Sequence, residues 1–126
     1  MKDFRDLQIW EKGHQLARSV YEATVSFPKS EMYGLTSQLR RASVSIPTNI
    51  AEGCGRNGDA EFGRFLQIAM GSASETEYLL FLSKELHLVA DPDYQKLELQ
   101  ITGLKKMLAS LLLKLRADRL KLTADR

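Results

Sequence analysis

The stretch DPDYQKLELQITGLKKMLASLLLKL, residues 91–115, decides the fold class. Tyr94, Leu97, Ile101, Leu104, Leu108, Leu111 and Leu115 recur at alternating steps of three and four, which lays them along one stripe of an α-helix. A strand would need alternation with a period of two. Asp91 is the expected N-cap and Pro92 the first helical residue, where a missing N–H costs nothing. A stripe with this spacing is the seam of helices packed about 20° off antiparallel in a bundle.

Working back along the chain, the same three-four rhythm returns in Phe62, Leu66, Ala69, Ala73, Thr76 and Leu80, which predicts a helix from about residue 59 to 88. Its middle, residues 69–74, holds mostly small side chains, so a tight helix crossing is expected there. Residues 53–58 hold three glycines in six and read as a turn that visits positive φ. Before it, Leu35, Leu39, Ala42, Ile46 and Ile50 share one face of a helix from about residue 30 or 31 to 52. Pro47 lies inside that helix and is expected to kink it, with the hydroxyls of Ser43 and Ser45 near the carbonyls that the proline frees. The first helix spans about residues 3–25, capped by Asp3 and stopped by Phe27-Pro28. Its stripe is read as Leu7, Trp10, His14, Ala17, Tyr21 and Thr24. Three short connections between four long helices imply an all-α, antiparallel, up-down-up-down four-helix bundle. The 126 residues form a single domain, with a polar tail expected to fray from about residue 117.

An apolar share of 44% and a charged share of 27% place the chain among folded globular proteins rather than disordered ones. Cys54 is the one cysteine, so no intramolecular disulfide can form, and a reducing, cytoplasmic setting fits best. The N-terminal residues alternate basic and acidic groups without an apolar stretch, unlike a signal peptide, and no apolar run approaches the roughly 20 residues of a membrane span. The net charge of +2 is small, yet residues 91–126 carry eight basic against five acidic groups. Lys105, Lys106, Lys114, Arg116, Arg119 and Lys121 make that excess, which suits phosphate backbones and a helix C-terminus alike.

Catalysis has little material. His14 and His87 are the two histidines, and no Glu-x-x-His pair or zinc spacing occurs, so no metal and no cofactor is expected. Cys54, between two glycines, is a candidate exposed thiol but has no histidine near it in sequence. Glu75 beside the small-residue run is expected to be partly buried in an ion pair. No convergent acid, base and nucleophile set is visible, which argues against an enzyme and against a small-molecule substrate. Arg40, Arg41, Arg56 and Arg64 flank the glycine turn and its two helices. They are the candidate nucleic-acid-binding residues if those helices are antiparallel neighbours.

Several strings carry more than periodicity. Leu7-x-x-Trp10, Phe27-Pro28-x-x-Glu31-x-Tyr33-Gly34-Leu35, Gln38-x-Arg40-Arg41-Ala42-x-x-Ser45-Ile46-Pro47-x-Asn49-Ile50-Ala51-Glu52-Gly53 and Phe62-x-x-Phe65-Leu66-x-x-Ala69-x-Gly71-Ser72-x-x-Glu75 resemble the four-helix-bundle family encoded in intervening sequences of bacterial large-subunit (23S) ribosomal RNA genes. The resemblance spans residues 4 to about 115. It implies a ring-like homopentamer, and kinship with the accessory protein of diversity-generating retroelements, a basic bundle credited with binding nucleic acid and a reverse transcriptase.

Self-association is also expected from the residues themselves. Leu104, Met107, Leu108, Leu111, Leu112, Leu113 and Leu115 make a stripe wider than a bundle helix needs, and Leu79, Leu82 and Leu86 lie off the third helix's line. Left in water, such surfaces mark an interface, and a closed homo-oligomer removes them. The expected role is therefore a non-catalytic, cytoplasmic accessory or scaffold protein that contacts RNA or DNA backbone. The alternative is a protein-interaction module without nucleic acid.

Overall fold

The computed structural model describes residues 3–124. Among them it contains four α-helices, α1 (Gln8–Thr24), α2 (Leu35–Cys54), α3 (Gly58–Glu85) and α4 (Asp91–Ala124), two short 3-10 turns and no strand. Contacts between neighbouring helices run in opposite order along the chain. Lys84 lies over Tyr94, Lys105 bonds Glu77 and Gly63 faces Leu115, which orders α3 against α4. Ser45 meets Ser72 and Gly53 meets Phe65 between α2 and α3. Arg40 reaches Thr24 and Gly13 faces Ile46 between α1 and α2, while Gln100 reaches Ser19 between α4 and α1. Among the described residues the backbone of α1 does not approach that of α3, nor α2 that of α4, so these pairs occupy opposite corners of the bundle.

The core stripes of α2, α3 and α4 fall where the spacing placed them. Leu39, Ile46, Ile50, Leu66, Leu80, Ile101, Leu104 and Leu108 are fully buried. At about 1.5–3 kcal/mol for each such side chain, this set dominates the stability of the bundle. The wide stripe of α4 is largely consumed inside the chain: Met107, Leu111 and Leu112 pack half-buried against the core, and Leu113 alone of the seven stays mostly exposed. On α3, Leu79 is buried, Leu82 is half-buried and Leu86 is exposed.

The first helix departs from its expected stripe. Ile9, Gly13, Leu16, Ala17, Val20 and Thr24 face the core, whereas Tyr21 and His14 are exposed and Trp10 and Leu7 only half-buried. The expected stripe therefore holds Ala17 and Thr24 of the core line but strays to the outer side at Trp10, His14 and Tyr21. Its start differs too. Asp3 caps the 3-10 turn Phe4–Asp6 by accepting from the Arg5 N–H at 2.9 Å, and α1 begins only after it, at Gln8.

Other boundaries shift for local reasons. Residues expected to open α2 form the 3-10 turn Lys29–Glu31, and the helix restarts at Leu35 after Gly34 leaves helical geometry. The Glu31 carboxylate accepts from the Leu35 N–H at 3.3 Å, satisfying one free donor of the new helix. Helix α2 continues through Pro47 to Cys54. The Ser43 hydroxyl donates to the Arg40 carbonyl and that of Ser45 pairs with Ser72, so neither turns to the carbonyl that the proline leaves open. Gly53, expected in the turn, is helical and buried, and Cys54 is buried as well rather than an exposed thiol. Positive φ is confined to Gly58 among the glycines.

At the far end, α3 stops at Glu85 and His87 takes φ 60°. The Leu88 N–H donates to the Ser83 carbonyl and the His87 N–H to the Lys84 carbonyl, both at 2.9 Å, which is the paired bonding of a left-handed helix stop. Helix α4 starts at Asp91, one residue before expectation, and the Tyr94 N–H donates to the Ala90 carbonyl. It remains helical to Ala124, past the point where fraying was expected. Its 34 residues extend about 51 Å, twice the length of the 17-residue α1.

Candidate nucleic-acid interface

The four arginines singled out in the sequence do not form one surface. Arg40 is half-buried against α1: its Nε donates to Thr24 Oγ1 at 2.8 Å, and its guanidinium lies 4.6 Å from the centre of the Tyr21 ring. Thr24 is buried and passes the contact on, donating to the Val20 carbonyl at 2.8 Å. Arg40 thus clamps α2 to α1. Arg41 beside it is exposed, but both lie about 20 Å along α2 from Cys54 at about 1.5 Å per residue.

Arg56 and Arg64 do come together. Both guanidinium groups sit over the ring of buried Phe65, at 5.2 and 4.5 Å from its centre, so one aromatic side chain gathers two cations at the turn between α2 and α3. Arg64 also donates to Glu61, Nε to Oε2 at 3.0 Å and Nη2 to Oε1 at 3.4 Å. That bond, opposed by partial desolvation and aided by the charges of Arg64 and Arg56, holds the Glu61 carboxyl below the ordinary carboxylate range. The same bond raises Arg64 above its ordinary value. The pair is exposed and therefore adds little to stability.

The structure adds partners that linear spacing did not join to Arg64. Because α3 and α4 run in opposite directions, the start of α3 lies against the end of α4. Arg64 and Gln67 of α3 share a groove of about 290 Å³ with Arg116 and Arg119 of α4, floored by Gly63, Leu112 and Leu115. Arg56, Arg64, Arg116 and Arg119 therefore crowd one end of the bundle, with Asp59 and Glu61 as the nearby acids. The C-terminal basic cluster was visible in the sequence, but its meeting with Arg64 needed the register of α3 against α4. Lys105 leaves that cluster, since its Nζ bonds Glu77 Oε1 at 3.0 Å; Glu77, rather than exposed Glu75, makes this ion pair.

A second surface lies on the α1–α2 side. Trp10, His14 and Tyr21 on the outer side of α1, with buried Ala17 between them, line an open, mainly apolar groove of about 740 Å³ with Val44, Pro47, Thr48 and Ala51 of α2. The Trp10 and His14 rings stack at 4.9 Å and 8°, and the Phe4 ring meets Trp10 edge-on at 4.9 Å. Gly13 permits the close passage beneath, with Ile46 Cγ2 3.2 Å from where a Cβ would stand. No group of three His, Cys, Asp or Glu among the described residues could hold a metal ion, and no described helix is long and apolar enough to cross a membrane.

Topology and surfaces together define an all-helical four-helix bundle with one basic end and one apolar flank. The chain belongs to the 23S rRNA-intervening sequence protein family, which it matches over residues 5–110. It is also similar to a solved protein of unknown function from the S23 ribosomal protein family of Bacteroides thetaiotaomicron. The two are 26% identical, with a TM-score of 0.74, covering 82% of this chain and 97% of that one. No functionally curated protein matches the chain.

Proposed function

We propose that the protein is a non-catalytic, self-associating scaffold of the cytoplasm whose basic end grips the phosphate backbone of RNA or DNA. The convergence of Arg64 with Arg116 and Arg119 in one groove carries this reading, and Arg56, which shares the Phe65 ring with Arg64, extends it. Guanidinium groups fixed on an aromatic ring and on two helices present donors at set positions, which suits phosphate oxygens and carries no base readout. The apolar groove on the other flank supports self-association, since a surface of this kind on a small bundle marks an interface.

The test is binding of an RNA hairpin and a DNA duplex across a salt series. Four phosphate contacts would make log K fall with log salt at a slope of about −3 to −4 on duplex DNA. Replacing Arg64 and Arg116 by Gln is expected to reduce the steepness by roughly two, at similar cost for unrelated sequences. The Arg41→Gln variant should leave the slope nearly unchanged. Absence of binding at low salt, or an unaltered slope in the double variant, defeats the nucleic-acid reading.

A further inference from the structure

The outer line of α1 poses a specific question, because the core does not account for it. Ile9, Gly13, Leu16, Ala17 and Val20 are spent inside the bundle, yet Trp10, His14 and Tyr21 repeat the spacing of Ile9, Gly13 and Val20 one residue on and line the open groove with Val44 and Pro47. A trough between two helices is the shape that receives a ridge of a third helix. Two carboxylates, Glu22 and Glu52, line this trough with Arg18 the one cation among them, so the matching helix should carry apolar side chains at i, i+4 and i+7 beside basic ones.

The end of α4 has this chemistry. Leu113, Ala117 and Leu120 stand at those three spacings on an exposed strip, with Leu113 66% and Leu120 65% exposed, and Lys114 and Lys121 run beside the strip about two turns apart. Arg116 and Arg119 lie against the first turn of α3, so Leu120 sits where α4 passes beyond the start of its neighbour. The strip does not reach the groove of its own chain: α4 is one continuous helix diagonal to α2, and among the described residues the two backbones do not approach each other. We propose that the α1–α2 groove is the socket for residues 113–121 of α4 from a second copy. The inference rests on the self-association reading and gives it a specific contact. Socket and strip are different surfaces, so each chain offers one of each and the contact is heterologous, closing into a ring when the rotation allows.

Cysteine trapping in the full chain tests the assignment. A Val44→Cys chain is mixed with a differently tagged Leu120→Cys chain and oxidised under mild conditions. The expected product is a covalent pair between the two tags, absent from either variant alone, where buried Cys54 serves as the internal control. In parallel, Leu113→Asp with Leu120→Asp is expected to turn the assembly into a 14.3 kDa species in sedimentation, with helical circular dichroism unchanged because both positions are exposed. Glu22→Lys with Glu52→Lys should weaken association at low salt, and adding Lys114→Glu with Lys121→Glu should restore it. An Asp variant that remains fully assembled, with no mixed crosslink, overturns the socket while leaving self-association standing. A wild-type chain that sediments as a monomer at micromolar concentration overturns self-association itself and the socket with it.

Discussion

Gly53→Ala is expected to destabilise the bundle although it puts a better helix former into a helix. Gly53 lies in the last turn of α2, buried against α3. A Cβ there would stand 2.9 Å from Phe65 Cβ and 3.0 Å from Phe62 Cδ1. The first of these atoms is fixed to the α3 backbone and cannot swing aside, so the helices must part locally. Overpacking against an atom that cannot yield costs about 2–3 kcal/mol, whereas the helical preference of Ala over Gly returns about 1 kcal/mol, leaving a net loss of about 1–2 kcal/mol. Gly71 and Gly103 supply the opposite case, since a Cβ at either meets nothing within 4 Å. Gly71→Ala and Gly103→Ala should each stabilise by about 0.5–1 kcal/mol. Urea unfolding at one fixed chain concentration, needed because assembly shifts apparent stability, should spread the midpoints of G53A and G71A by roughly 1 M. A G53A midpoint equal to or above wild type would refute the close approach of α2 and α3 at this point.

Three further outcomes follow from particular contacts. His87 adopts φ 60°, so His87→Gly should raise stability by about 0.5–1 kcal/mol in the same urea assay, while His87→Val lowers it; stabilisation by Val would contradict the left-handed stop. Thr24→Val removes the hydroxyl that joins Arg40 to the Val20 carbonyl and should cost about 1–2 kcal/mol, whereas Thr48→Val, whose exposed hydroxyl serves only its own helix, should stay within about 0.5 kcal/mol. Glu61→Gln frees Arg64 and should tighten polyanion binding at neutral pH. Glu61 titrates below the ordinary carboxylate range, so its hold on Arg64 is complete above that range and is lost as pH falls through the lowered value. Wild-type affinity should then rise toward that of E61Q on acidification, and weaker binding by E61Q at pH 7 would count against the basic groove.

Three of the four core stripes were legible because α2, α3 and α4 each carry one dominant apolar line. Helix α1 was legible only in part, since Trp10, His14 and Tyr21 give as regular a spacing as Ile9, Gly13 and Val20, and periodicity cannot say which line meets the core. Gly53 looked like a turn residue for a related reason: glycine serves a positive φ and a close backbone approach equally well, and only Gly58 uses the former. The basic end proposed for phosphate contact was half visible. Arg56 and Arg64 were placed together by their proximity to one turn, but Arg40 was lost to Thr24 and Tyr21 on α1. Arg116 and Arg119, more than fifty positions away from Arg64 in sequence, join it only through the pairing of α3 with α4.

The hydroxyl contact between Ser45 and Ser72, at 2.9 Å, has a role that its modest energy conceals. Asn49 Nδ2 donates at 2.9 Å to the same Ser45 hydroxyl, so a short polar ladder crosses a seam otherwise made of Ala42, Ile46, Ala69 and Ala73. Aliphatic seams tolerate sliding, because one methyl group replaces another at little cost. Displacing α3 by a single turn, about 5.4 Å, would part Ser72 from Ser45 and leave the Ser45–Asn49 contact confined to α2. The ladder thus works as a vernier mark that admits one alignment of the two helices. Alignment of α3 is what sets Arg64 opposite Arg116, so replacing all three polar residues by aliphatic ones should yield a bundle that still folds yet holds its basic end in several registers at once.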